Sequence, residues 1–173
     1  MEDIPDYGWN SATFWTRYLW PSIEGIIKGR NVQTACDVGC GNGSLSNALA
    51  ALGIAVTGID PSEKGIEIAK RTFPHVRFFQ GNGSEDLAAQ YGQFDLVVCS
   101  EVIEHCYDPA KIVGTIFDLL VPGGLAIITT PYHGYIKNIA IAVSGKWDAH
   151  HMPLLAGGGV DPIRPDTQRI AIV

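Results

Sequence analysis

Five short apolar runs, each separated from the next by a segment of helical character, recur between residues 34 and 130, and no other feature constrains the fold as tightly. Thr34 to Val38 reads as a first strand, leading into Gly39-Cys40-Gly41-Asn42-Gly43. Ser44 is expected to N-cap a helix through Leu52, with Gly53 stopping it. Ala55 to Ile59 is a second strand closing on Asp60, and Pro61-Ser62 opens a helix to about Arg71. Val76 to Phe79 is a third strand, followed by a short helix from Ser84 to Tyr91. Phe94 to Cys99 is a fourth, after which Asp108-Pro109 supplies an Asp N-cap with Pro at N1. Ile112, Val113, Ile116, Phe117 and Leu120 share one face of that helix. Pro122-Gly123-Gly124 is expected to end it, and Leu125 to Thr130 is strand five. Apolar strands with crossover helices predict an α/β fold: a doubly wound, mainly parallel sheet covered on both faces.

Composition narrows the class. The 173 residues carry 12 Lys and Arg against 18 Asp and Glu, a formal charge of −6, with 46% apolar and 17% charged residues. Such a chain builds a core and is neither disordered nor fibrous. The acidic balance argues against a nucleic-acid partner bound through a basic face. No apolar run has the roughly 18–20 residues of a membrane span. The acidic start, Met1 to Asp6, lacks a secretion signal. Cys36, Cys40, Cys99 and Cys106 then read as reduced thiols of a cytoplasmic protein, with a zinc site of Cys36, Cys40, His105 and Cys106 as the sharper alternative. The chain reads as one domain over 1–173, with an aromatic N-terminal helix or lid in 1–30, a ligand-binding core in 31–131 and an irregular segment in 132–173. Phe14, Trp15, Tyr18 and Leu19 recur at helical spacing in the first part.

Ligands of such sheets bind beyond the C-terminal strand ends, where the strand order switches. Asp60 lies 21 residues past Gly39, where an acid can hold ribose hydroxyls. A dinucleotide site is the rival reading. However, Ser44 stands where a third dinucleotide glycine belongs, and Asp37 places a carboxylate where a pyrophosphate would lie. That charge suits a cationic ligand such as S-adenosyl-L-methionine, which has an ammonium, a sulfonium and a ribose but no phosphate.

The ordered set Asp37-Val38-Gly39-Cys40-Gly41-Asn42-Gly43, Asp60 and Leu120-Val121-Pro122-Gly123-Gly124 resembles the class I S-adenosylmethionine-dependent methyltransferases over roughly residues 30–150. Ser100-Glu101-Val102-Ile103-Glu104-His105 is most similar to the branch containing the ubiquinone-biosynthesis O-methyltransferases. The resemblance implies a Rossmann-like methyltransferase fold and an enzyme that methylates a small-molecule acceptor, with hydroxyl oxygen favoured. A fold-retaining S-adenosylmethionine-binding protein without turnover is the alternative. It further implies that Gly39 and Gly41 pass the methionine moiety, with Asp37 near its ammonium through the loop or a water. Asp60 would take the ribose hydroxyls, Asn82 and Gly83 the adenine, and Ser100 the region of the methyl group. Arg17 is a candidate for the cofactor carboxylate.

Glu101, Glu104 and His105 place two carboxylates and an imidazole within five residues, a candidate site for a divalent cation such as Mg²⁺. The metal-free alternative has His105 as general base, and His133, after strand five, is a second candidate base. The family's sheet closes with two further strands in the order 3-2-1-4-5-7-6. From about Gly157 the sequence departs from the family, and only Gln168 to Val173 offers one more strand. The final strand pair is therefore expected to be incomplete and the chain truncated; a homodimer would cover the open edge.

Overall fold

The computed structural model describes residues 19–83, 85–130 and 169–172. In chain order the elements are α1 (Trp20–Ile27), β1 (Thr34–Val38), α2 (Ser44–Ala50), β2 (Ala55–Asp60), α3 (Glu63–Thr72), β3 (Arg77–Gln80), α4 (Leu87–Tyr91), β4 (Phe94–Ser100), a 3₁₀ turn (Ile103–His105), α5 (Pro109–Asp118), β5 (Leu120–Thr129) and β6 (Arg169–Ile172). The strands form one sheet in the order β3-β2-β1-β4-β5-β6, every neighbouring pair parallel. The order reverses between β1 and β4, so the strand ends there open the crevice in which such sheets bind ligands.

Both faces are apolar because alternate residues of each central strand point to opposite sides. Ala35, Leu96, Val98, Leu125 and Ile127 join Ile23, Leu49, Ile66 and Phe78 in one cluster beneath α1, α2 and α3. Their neighbours Cys36, Val97, Cys99, Ala126 and Ile128 join Leu87, Ile112 and Ile116 in a second cluster beneath α4 and α5. Helix starts follow local chemistry. Ser62 Oγ accepts from Gly65 N at the head of α3, Asp86 from Ala89 N at α4, and Asp108 from Lys111 N at α5. Asp95 accepts from the amides of Gln33 and Thr34, both at 2.9 Å, and those bonds hold its carboxyl below the usual range. This fixes the sheet at the edge opposite the crevice.

Three details differ from the sequence expectations. The cap of α2 is Gly43, left-handed at φ 79°, and Ser44 is the first helical residue. Pro21 lies in the first turn of α1, where its missing N–H costs nothing, whereas Phe14, Trp15, Tyr18 and Arg17 lie outside the described residues. Strand β5 begins before Pro122-Gly123-Gly124. Leu120 pairs with Phe94 and Leu125 with Leu96, so the intervening residues bulge out of the ladder. The additional strand expected near the C-terminal end is β6, parallel to β5.

Phe78 on β3 is 3% exposed, and its ring fills the space where side chains at Gly43 and Gly58 would stand, 2.5 and 2.6 Å from their ideal Cβ positions. Phe78→Ala is expected to cost about 3–5 kcal/mol, read as a lower midpoint in urea with unchanged m-value. A loss under about 1 kcal/mol would show that the ring does not support the loop.

Candidate active site

The loop after β1 is shaped by glycine. Gly39, Gly41 and Gly43 have φ of 79°, 53° and 79°, a region in which a Cβ is strained. This conformation turns the loop's amides toward β2. Gly39 N and Cys40 N both donate to Ile59 O, at 2.7 and 3.1 Å. Gly41 N donates to Asp60 Oδ2 at 2.9 Å, and Gly43 N to Cys40 O at 2.9 Å. Phosphate-binding glycine loops need those N–H groups free to point at the anion. Here they are already used, and a carboxylate stands beside them.

Asp60 anchors this arrangement. Its Oδ1 accepts from Ser62 N at 2.8 Å while Oδ2 holds Gly41. Burial raises its pKa, opposed by those two backbone bonds. Both oxygens keep spare lone pairs, so a ribose diol remains a fitting partner. Asp37 lies deeper than the sequence suggests. It is 1% exposed and accepts from Ser46 Oγ at 2.6 Å, so it sits beneath the loop. Burial pushes it up to about 7, with the Ser46 bond opposing and Asp60 adding to the rise. After β3, Asn82 is exposed and its amide donates to Glu85 Oε1 at 3.3 Å. Gly83 leaves no room for a side chain, since Ile112 Cδ1 is 2.7 Å from its ideal Cβ.

Across the crevice, β4 ends in a compact hydroxyl–carboxylate network. Ser100 Oγ and Thr129 Oγ1 are 2.8 Å apart, and Thr129 Oγ1 donates to Glu101 Oε1 at 2.9 Å. Glu101 N reaches Thr129 O at 3.1 Å and Thr129 Oγ1 at 3.2 Å. Glu101 has φ 56°, unusual for a residue with a side chain and worth about 1–3 kcal/mol of local strain. The turn that follows sets the Val102 methyls against Gly39, where a Cβ would collide with them. His105 Nε2 lies 3.9 Å from Glu104 Oε1, with side-chain exposures of 29% and 9%. Neither Glu104 oxygen has a partner at full hydrogen-bond geometry. Burial pushes Glu104 up to about 7; its own amide and Thr130 oppose this weakly, and Glu101 adds to it.

The strand ends thus bring Gly39, Gly41, Asp60, Asn82, Gly83, Ser100, Glu101, Glu104 and His105 to one edge of the sheet, while His133 lies outside the described residues. The metal expectation for Glu101, Glu104 and His105 is not met. Among the described residues no three His, Cys, Asp or Glu side chains converge as a metal site. The left-handed turn commits Glu101 to Thr129. Nor do the thiols form a zinc site. Cys40 packs in one apolar cluster and Cys36, Cys99 and Cys106 in the other, and burial raises all four thiol pKa values. Thr129, Ser46 and Val102 escape sequence reading; the only signal was a Thr closing an apolar strand, which β-propensity explains equally well.

Comparison with known proteins agrees with this geometry. The sequence profile of the methyltransferase domain matches residues 18–165. The chain is 35% identical over 133 residues to a ubiquinone biosynthesis O-methyltransferase of Thiobacillus denitrificans, covering 75% of this chain and 56% of that protein. It is 40% identical over 153 residues to the protein of the same name from Aromatoleum aromaticum, covering 86% and 64%. The chain therefore spans rather more than half the length of these relatives. Among solved structures, an S-adenosylmethionine-bound amino pentose methyltransferase from Micromonospora echinaspora superposes with a TM-score of 0.63 at 21% identity, covering 76% of this chain and 59% of that one, a likeness of fold. Protein PH0226 of Pyrococcus horikoshii superposes with a TM-score of 0.54 at 26% identity, covering 63% and 53%.

The buried Asp37 has a consequence for stability. Its carboxyl titrates near 3.8 when unfolded and about 7 when folded, so between those values the folded chain holds a proton that the unfolded chain has released. Its contribution is fully present below about pH 4 and is lost as pH rises through about 7. Glu104, raised by the same cause, adds a slope of the same sign. Asp37→Asn stays neutral and can still accept from Ser46, so it should flatten part of the fall in urea midpoint between about pH 5 and about pH 8. An identical fall in both proteins would rule out this role for Asp37.

Proposed function

The chain belongs to the methyltransferase-domain family, and we propose that it binds S-adenosylmethionine and directs its methyl group to a hydroxyl of a small-molecule acceptor. The observation that carries this reading is the capture of the glycine-loop amides by Ile59 O and Asp60. A loop tied in this way cannot cradle a phosphate. It leaves a smooth glycine surface beside a carboxylate, which suits a phosphate-free, positively charged nucleoside. When bound, that cofactor supplies a methyl group activated by its sulfonium.

The chain's residues divide the remaining work. Asp60 accepts from the ribose hydroxyls, and Gly39 and Gly41 let the backbone approach the methionine portion. Asp37 stiffens the loop from below through Ser46. Asn82 and Gly83 border the adenine, and Ser100 lies near the reacting methyl. His105 takes the acceptor's hydroxyl proton at an imidazole nitrogen, and the Glu104 carboxylate 3.9 Å away steadies the resulting imidazolium. No step is assigned to a divalent cation, because the donor set does not converge. The similarity to ubiquinone biosynthesis O-methyltransferases supports a phenolic hydroxyl as acceptor.

Calorimetric titration tests the cofactor reading. S-adenosylhomocysteine should bind with one site per chain and NADH should not. Asp60→Ala should weaken S-adenosylhomocysteine about tenfold or more, the loss expected for hydrogen bonds to a charged group. A folded chain that ignores S-adenosylhomocysteine would overturn the proposal. With catechol as acceptor, His105→Gln should lower turnover about 10²–10⁴-fold while cofactor binding persists; undiminished turnover would remove His105 from the chemistry.

A further inference from the structure

Thr129 is wholly buried at the end of β5, yet its hydroxyl is among the most heavily used polar groups at the crevice. It donates to Glu101 Oε1, receives the Glu101 amide and contacts Ser100 Oγ, while its carbonyl takes the same Glu101 amide. Three of these four contacts are to Glu101, the one residue other than glycine with positive φ among those described. A side chain held in that region needs surroundings that overdetermine it. The next residue is Val102, whose methyls lie against Gly39 of the cofactor loop, and three residues on from Glu101 come Glu104 and His105.

We propose that Thr129 is a positioning residue: through Glu101 it latches the turn after β4, so that Val102 is seated on the glycine loop and His105 is held at the sheet edge. On this view Glu101 serves as a hydrogen-bond partner within the turn, and its carboxylate acts on the site through the backbone it fixes. The latch links the two halves of the crevice. β5 carries no cofactor-loop residue, yet its last hydroxyl determines how the acceptor-side turn meets that loop. The structural inference stands on the hydrogen-bond network alone; only its consequence for turnover rests on the methyl-transfer reading.

Amide hydrogen exchange on the full chain tests it. Thr129→Val keeps the shape and removes the hydroxyl, Thr129→Ser keeps the hydroxyl, and Glu101→Ala breaks the latch from its half-exposed side. Thr129→Val and Glu101→Ala should speed exchange about tenfold at Gly39, Cys40 and His105, with the β1 and β4 core amides unchanged, and Thr129→Ser should retain slow exchange. Unchanged exchange at those amides in Glu101→Ala, or acceleration spread evenly through the sheet, would overturn the proposal even if Thr129→Val fails to fold. With catechol, Thr129→Val should lower kcat about tenfold while the Kd for S-adenosylhomocysteine stays within about threefold, and Thr129→Ser should restore kcat. Absence of S-adenosylhomocysteine binding to the unaltered chain would sink the functional reading alone, with the exchange comparison still deciding the latch.

Discussion

The Ile59 carbonyl and the Asp60 carboxylate between them hold three consecutive loop amides, those of Gly39, Cys40 and Gly41. The rest of the site depends on that capture. It sets the loop's path, which requires the left-handed glycines, and it puts the α-carbon of Gly39 within reach of Val102. It also occupies amides that phosphate-binding glycine loops leave free. The loop nitrogen atoms of Gly39, Cys40 and Gly41 are bonded to Ile59 and Asp60, and a largely buried carboxylate stands beside them. The acceptor chosen by the loop amides, together with Ser44 at the position of a third dinucleotide glycine, separates this loop from a phosphate-binding one.

Support for this arrangement comes from a sheet with no polar face. Side chains alternate along β1, β4 and β5 between two apolar clusters, and helices cover both. Apolar burial holds the strands in parallel register, so every strand presents its C-terminal end at one edge. Polar chemistry collects there because it has nowhere else to go. Asp37 is carried into the interior, where its Ser46 partner answers the buried oxygen. Burial of Asp37 and Glu104 raises both pKa values, a cost the interior accepts in return for a fixed loop and turn.

Much of this was legible in the sequence. The strand and helix alternation followed from short apolar runs bounded by capping residues, and Ser62, Asp108 and Pro109 marked helix starts correctly. The strand ends pointed to the crevice, and the resemblance to class I methyltransferases singled out Gly39, Gly41, Asp60, Asn82, Gly83 and Ser100 within it. Other features depended on contacts between distant segments. Local spacing could not tell Pro122-Gly123-Gly124 ending a helix from the same residues bulging inside β5, because the pairing of Leu120 with Phe94 decides it. Likewise, Glu101, Glu104 and His105 are close in sequence, as metal ligands often are. Only Thr129, 28 residues further on, shows that Glu101 is committed elsewhere. The degree of burial of Asp37 depends on its contact with Ser46 of α2, which its own motif does not reveal.

Phe78 carries an implication for how this sequence can change over time. Its ring is enclosed by Gly43 and Gly58, positions on different elements that owe their lack of a side chain partly to the same neighbour. Gly43 is confined by its backbone as well, whereas Gly58 lacks a positive φ and is confined only by the ring and the Cys40 sulfur. A methyl group at Gly58 is thus excluded while Phe78 remains, whereas a smaller ring leaves only the Cys40 sulfur, at 3.0 Å, to give way. The two substitutions have a compulsory order, through an intermediate that carries a void. Drift at the end of β2 that supports the crevice is gated by a residue on the neighbouring edge strand, and chains that differ at one of these positions should differ at the other.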